Sequence, residues 1–199
     1  CRGAGLGRHH HPGRRRGGRR DKAASVDIAA GRLTADPAFE VPENWRWRAG
    51  LVTPGDAVVF DIDGVLSDAA SRQHFLESGR RDWNAFFDAC GDDPLIDEVG
   101  TLLGLLDPRL QIILLTGRPV RVQPQTAAWL ERYDLRWDLL VMRDFGDYAA
   151  AREFKRWTAG DLRRFGFRLV LGFEDDRRNL EMFRSIGIPC VYIHSGYYD

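Results

Sequence analysis

Lysine is almost missing from this chain. Of its 29 basic residues only Lys22 and Lys155 are lysines, so the one lysine beyond the N-terminal region is worth locating. Cysteine is scarce too. Cys1, Cys90 and Cys190 are odd in number and lack the spacing of a zinc site or a disulfide framework, which excludes small metal- or disulfide-stapled folds. Cys190, inside the apolar run CVYI, reads as a buried small hydrophobe. No apolar run approaches the length a membrane span needs, and the first residues lack the apolar core of a secretory signal. A cytoplasmic protein without a membrane partner is therefore expected. Net charge is absent as well, with 29 acidic residues against 29 basic. The balance conceals an asymmetry, because residues 1–22 carry seven arginines and Lys22 against the single acid Asp21. Residues 23–199 hold 21 basic and 28 acidic residues, a body near −7.

Residues 1–35 are rich in Gly, Arg and His and almost free of large apolar side chains, so they cannot bury enough surface to offset their ordering entropy. A disordered arm is expected there, with a basic charge that could meet nucleic-acid phosphates or serve solubility alone. Residues 36–54, with Trp45 and Trp47 two apart, read as a lead-in that packs onto the domain.

The chain is organised around Val58–Asp68, VVFDIDGVLSD. Val58, Val59 and Phe60 have the composition of a short buried strand, which stops on Asp61, Ile62, Asp63 and Gly64. Residues i and i+2 of an extended segment point to one side, so Asp61 and Asp63 leave the strand end together, and Gly64 lets the backbone turn behind them. Two crowded carboxylates repel unless a cation or shared proton relieves them. An acidic turn is the plain structural alternative.

Past this motif, short amphipathic helices are expected over about 69–78, 82–90 and 94–106. Apolar strands follow at 111–119, 139–142, 169–173 and 190–194, with helices over 122–133, 149–165 and 177–186 between them. Apolar strands alternating with amphipathic helices predict an α/β domain, a five-stranded parallel sheet with helices on both faces. Such sheets bind ligands beyond the carboxyl ends of their strands. Those ends carry Asp61 and Asp63, then Thr116, Gly117 and Arg118, then Glu174, Asp175 and Asp176, with Lys155 between the last two strands before Glu174.

The order DIDGV, IILLTGR, Lys155 and LGFEDD resembles the haloacid dehalogenase (HAD) superfamily, over residues 55–199, with Glu174 standing where that pattern is usually apolar. The runs VMRDFGD (141–147) and FEDDRRNLEMFRSIGIPCVYI (173–193) are similar to the 3′-phosphatase domain of polynucleotide kinase. The resemblance implies a HAD-like Rossmannoid fold with a small helical cap at about 67–93. It implies a phosphomonoesterase working through an aspartyl-phosphate, with Asp61 as nucleophile and Asp63 as general acid/base, assisted by Thr116 and Lys155. Mg²⁺ would be held by Asp61, the carbonyl of Asp63, Asp175 and Asp176. Gly117, Arg118 and Arg143 would bind substrate, with Asp147 and Arg177 as further contacts or braces. A small cap leaves the site open, which suits the 3′-phosphate of a nucleic-acid end. A small nucleotide or sugar phosphate, and a non-catalytic binding module, are the alternatives. No GxxxxGK[ST] occurs, so a kinase or ligase activity would come from a partner.

Overall fold

The computed structural model describes residues 38–77, 79–144 and 149–198; the expected arm (1–35) and Asp147 lie outside the described residues. Six strands form one sheet: β1 (Trp45–Trp47), β2 (Asp56–Phe60), β3 (Gln111–Pro119), β4 (Leu139–Arg143), β5 (Arg168–Glu174) and β6 (Cys190–Tyr192). Their spatial order is β1-β4-β3-β2-β5-β6. β2 to β6 are parallel, and β1 alone runs antiparallel, pairing Trp45 with Val141 and Trp47 with Leu139. The lead-in thus supplies a sixth, edge strand to the five expected. Three residues are too short to show an alternation, and a tryptophan pair reads as packing before it reads as a strand.

The helices are α1 (His74–Glu77), α2 (Trp83–Asp88), α3 (Asp97–Leu105), α4 (Gln123–Arg132), α5 (Ala151–Phe165) and α6 (Arg177–Ser185). The pleat of each strand sends alternate side chains to opposite faces. Val58, Phe60, Ile112, Leu114, Leu140 and Met142 pack with Val99 and Leu103 of α3 and Trp129 and Leu130 of α4. Ala57, Val59, Ile113, Leu115, Leu139 and Val141 pack on the other side with Phe154 and Leu162 of α5 and Leu180 and Phe183 of α6. Both faces being covered explains why these strands are continuous apolar runs. No helix among the described residues is long and apolar enough to cross a membrane.

Because these strands run parallel, the carboxyl ends of β2, β3, β4 and β5 lie at one edge, together with the N-termini of the helices that follow them. β2 lies at the centre of the sheet, so the residues leaving it face both neighbours. The segment 67–93, holding α1, α2 and two 3-10 turns, rises from this edge.

Candidate active site

The turn after β2 is built tightly. Ile62, Val65 and Leu66 are fully buried and anchor it, and the Ile62 carbonyl accepts from the amides of Val65, Leu66 and Ser67. Gly64 takes φ +79°, a left-handed conformation that a side chain would strain. A Cβ there would also sit 1.9 Å from Asp175 Oδ2, so glycine lets the turn and the end of β5 approach.

The two aspartates that leave this turn enter different surroundings. Asp61 Oδ1 accepts from the Ile62 amide at 2.7 Å, and Oδ2 accepts from Lys155 Nζ at 2.6 Å. The same ammonium donates to Glu174 Oε2 at 2.6 Å. Lys155 reaches inward because it lies beside Phe154 on the buried face of α5. Burial alone would lower its pKa, but Asp61 and Glu174 outweigh that and keep it firmly charged. Glu174, the last residue of β5, also accepts from the Asn179 side-chain amide at 3.2 Å and the Asp176 amide at 3.3 Å.

Asp61, Glu174 and Asp175 offer carboxylate oxygens that all lie within 4.8 Å of one another. Among the described residues both Asp175 oxygens are buried without a hydrogen-bond partner; the Ser195 hydroxyl draws its pKa down without meeting hydrogen-bond geometry. Burial first, then the charge of Asp61, pushes Asp175 well above the ordinary carboxylate range. Burial likewise raises Asp61, against the pull of Lys155 and with the repulsion of Glu174 and Asp63. With one ammonium among three carboxyls, ionising all of them would leave two negative charges unmatched, and burial with mutual repulsion accordingly raises Asp61 and Asp175. An all-oxygen donor set with orphaned buried atoms fits a hard divalent cation such as Mg²⁺.

Asp63 turns the other way. Its Oδ1 accepts from Arg118 Nε at 2.9 Å and Nη2 at 2.6 Å, and from Arg72 Nη2. Burial would raise this carboxyl, but Arg118 and then Arg72 overcome it and hold it at about 2. Oδ2 carries no hydrogen bond among the described residues.

The structure brings Asp61, Asp175 and Lys155 into one cluster and Asp63 and Arg118 into an adjoining one. Arg118 is fully buried on Asp63, Thr126 and Ser67, which makes it a brace of Asp63. Thr116 is buried, and its Oγ1 accepts from the Arg118 amide at 3.2 Å, closing the turn that contains Gly117. Arg143 stands near Gly117, with Nη2 4.0 Å from where a Cβ would lie. It donates to the Ala149 carbonyl at 3.1 Å, and its buried Nε has no hydrogen-bond partner among the described residues. Asp176 stands outside the acidic trio: it caps α6, accepting from the Arg178 amide at 2.8 Å, and pairs with the Arg178 guanidinium. Arg177 sets its guanidinium 5.4 Å from the Tyr192 ring.

Sequence reasoning missed Arg72 and Asp93 as parts of this site, and set Glu174 at the strand end without giving it a role. Arg72 comes from the segment 67–93, is buried, and bridges Asp63 to Asp93. Arginine supplies nearly every positive charge in this chain, so nothing in the sequence separates Arg72 from solvated neighbours such as Arg80 and Arg81. Glu174 did leave a signal, as a charged residue closing an otherwise apolar strand.

Residues 55–198 match the family model of the polynucleotide kinase PNKP phosphatase domain. No curated protein matches the chain. Among solved structures, one of a Pnkp1/Rnl/Hen1 complex contains a chain 26% identical, with a TM-score of 0.60, covering 71% of this chain and 46% of that one. Another, of the Pnkp1/Rnl/Hen1 RNA repair complex, gives 23% identity and a TM-score of 0.61, over 79% of this chain and 48% of that one. The class C acid phosphatase from Bacillus anthracis with tungstate bound shares the fold, at 14% identity and a TM-score of 0.53, over 74% of this chain and 69% of that one. The chain therefore spans about half the length of the first two structures it matches.

Proposed function

Because the chain belongs to the family of PNKP phosphatase domains, and is thus a HAD-type phosphatase, we propose that it is a Mg²⁺-dependent phosphomonoesterase that removes 3′-phosphates from nucleic-acid ends. The observation that carries the chemistry is the split of one strand end into two settings. Asp61 lies against Lys155, Glu174 and Asp175, and Asp63 is clasped by two guanidiniums. A nucleophile and a proton carrier need that kind of division.

In the first half-reaction an Asp61 oxygen attacks phosphorus, the bond from phosphorus to the leaving oxygen breaks, and Asp63 supplies the proton that oxygen needs. In the second, water attacks the aspartyl-phosphate, Asp63 takes the water's proton, and phosphate leaves with Asp61 restored. The two guanidiniums that draw Asp63 down favour its carboxylate, the form the second half needs, and the proton it then takes from water is the one it would deliver to the leaving oxygen of the next substrate. Lys155 holds Asp61 in place and offers positive charge to the incoming phosphate. Thr116 and the Gly117 amide, within the last residues of β3, would offer a hydroxyl and a donor to the phosphate. Asp61 and Asp175, with Glu174 beside them, would hold Mg²⁺, which when bound would offset the charge of the phosphoryl oxygens.

The nucleic-acid end as substrate is supported by the family, by the RNA repair complex in which one relative was solved, and by a segment over the site of only about 27 residues (67–93). A kinase or ligase partner is proposed from the same likeness. The domain boundaries proposed are 55–199 for the phosphatase and 36–54 for its lead-in.

Purified protein with Mg²⁺ is offered a 3′-phosphorylated oligonucleotide, its 5′-phosphorylated counterpart, and a panel of nucleotides and sugar phosphates. Release from the 3′-phosphate is expected to dominate. Asp61→Asn should lower it by about a thousandfold or more, since the covalent route is lost. Release confined to the small panel would defeat the substrate assignment. No release from any compound would defeat the catalytic one.

A further inference from the structure

Trp83 opens α2 with 47% of its surface exposed, an uncommon setting for so large an apolar side chain. Its indole stacks on Phe87, with centroids 5.8 Å apart and planes 25° apart, and meets the edge of Phe86 at 5.8 Å. A ring backed on one side and nearly half exposed keeps area for a further flat partner. Residues 79–82, which lead into it, are exposed and include Arg80 and Arg81. Their turn is pinned: the Asp82 amide donates to the Phe75 carbonyl at 2.9 Å, and the Asp82 side chain accepts from the Ala85 amide at 3.0 Å.

α2 is anchored at the catalytic edge from two sides. The Phe86 carbonyl accepts from Arg72 Nη1 at 3.2 Å, the Arg72 guanidinium lies 4.1 Å over the Phe86 ring, and Arg72 pairs with Asp63. Arg121, in the 3-10 turn Val120–Val122 that follows β3, donates to the Asn84 carbonyl and side-chain oxygen at 3.2 Å each and pairs with Asp88. Only Phe86 and Arg72 thus separate Trp83 from Asp63. A strand whose terminal phosphate lies at Asp61 would pass the indole within its next few nucleotides. On a body with an excess of acids, two exposed arginines beside an open indole match a ligand that is both anionic and flat. A nucleic-acid strand is both, and its bases reach such a ring only where they are unpaired.

We propose that Trp83, Arg80 and Arg81 form a subsite for the single-stranded nucleotides that precede the 3′-phosphate. One base stacks on the indole and the two guanidiniums hold backbone phosphates. The subsite rests on the reading of the protein as a phosphatase of nucleic-acid ends, and gives the segment 67–93 a part in choosing a strand over a small ester.

Two measurements on the full chain test this, with melting temperatures alongside. Binding of a fluorescent single-stranded oligonucleotide ending in a 3′-hydroxyl is followed by anisotropy over a salt series. Turnover is read as the ratio of kcat/KM for a 3′-phosphorylated single strand to that for p-nitrophenyl phosphate. Trp83→Ala should weaken binding and lower the ratio by about tenfold, within the range of base–aromatic stacking. Trp83→Phe, which keeps a ring, should lose less. Replacing Arg80 and Arg81 together by alanine should flatten the salt dependence by about 1.4 in log K per log salt, the share of two phosphate contacts on a single strand. Trp157 is the control: it is 53% exposed, but it lies two residues past Lys155 on α5 and so on the opposite side of that helix. Trp157→Ala should change neither measurement. Wild-type binding and an unchanged ratio in Trp83→Ala, as a protein-docking role for the ring would give, overturn the subsite and leave the proposed function standing. An equal loss in Trp157→Ala overturns it as well. No binding of, and no release from, any oligonucleotide by the wild type overturns both. Should Trp83→Ala melt well below the wild type, the arginine pair decides, and an unchanged salt slope overturns the subsite.

Discussion

Gly64 shows how one residue couples backbone shape to the acidic trio. Its φ of +79° and the 1.9 Å that would separate an added Cβ from Asp175 Oδ2 are independent constraints. Gly64→Ala meets both. The left-handed conformation alone should cost about 1–2 kcal/mol, and the methyl must displace Asp175. With Asp175 moved, the proposed cation site is broken, so Mg²⁺ should raise the melting temperature of the wild type and leave the variant unmoved. Differential scanning fluorimetry with and without Mg²⁺, followed by chelator, measures this. A wild-type Mg²⁺ response in Gly64→Ala would show that Asp175 does not hold the cation. Lys155 teaches a related point. A lone lysine on the apolar face of a helix is costly unless paired, and here two carboxylates pair it.

At the scale of elements, each helix that follows a strand begins at the catalytic edge, and its first turn is shared between capping and chemistry. α6 is the clearest case. Asp176 accepts from the Arg178 amide and lies against a helix N-terminus, where a negative charge is favoured. Asp176→Ala should therefore destabilise the fold by about 1 kcal/mol. Asp176→Asn, which can still cap, should lose only a few tenths. Urea unfolding of the three proteins measures the difference. Equal losses in Ala and Asn would mean that charge, not capping, is what α6 requires. A collapse of turnover in Asp176→Asn at wild-type stability would give Asp176 a part at the cation as well. α5 is bounded at its other end by Gly166, whose φ of +117° lets its amide close on the Leu162 and Arg163 carbonyls.

For the whole molecule, the sheet separates two apolar layers, and each holds one buried thiol: Cys90 with α3 and α4, Cys190 with α5 and α6. Burial, and then the charge of Glu174, pushes the Cys190 thiol up to about 12; burial raises Cys90 too. A raised thiol pKa keeps the unreactive, protonated form present up to that higher pH. At pH 8 neither cysteine should react with iodoacetamide in the native protein. On unfolding both should react at one common rate, because a sheet buried on both faces opens as a unit. Peptide mass spectrometry after timed labelling tests this. Labelling of Cys190 well ahead of Cys90 would show that the α5–α6 layer opens by itself.

Hydrophobic pattern and strand-end chemistry are local properties, and the sequence by itself determined what depends on them. The alternation of apolar strands with amphipathic helices predicted the doubly wound parallel sheet, and the string from Asp61 to Asp176 pointed to phosphoryl chemistry. The edge strand Trp45–Trp47 escaped because its pairing is with β4, about a hundred residues away, and leaves no period in three residues. The partners of each charge were equally hidden. That Lys155 spans Asp61 and Glu174, that Asp63 turns from the acidic trio toward Arg72 and Arg118, and that Asp93 braces both arginines are matters of burial and distance. In water these carboxylates and guanidiniums would be nearly equivalent. Only the packed, low-dielectric edge of the sheet makes each one's nearest counter-charge decide its role.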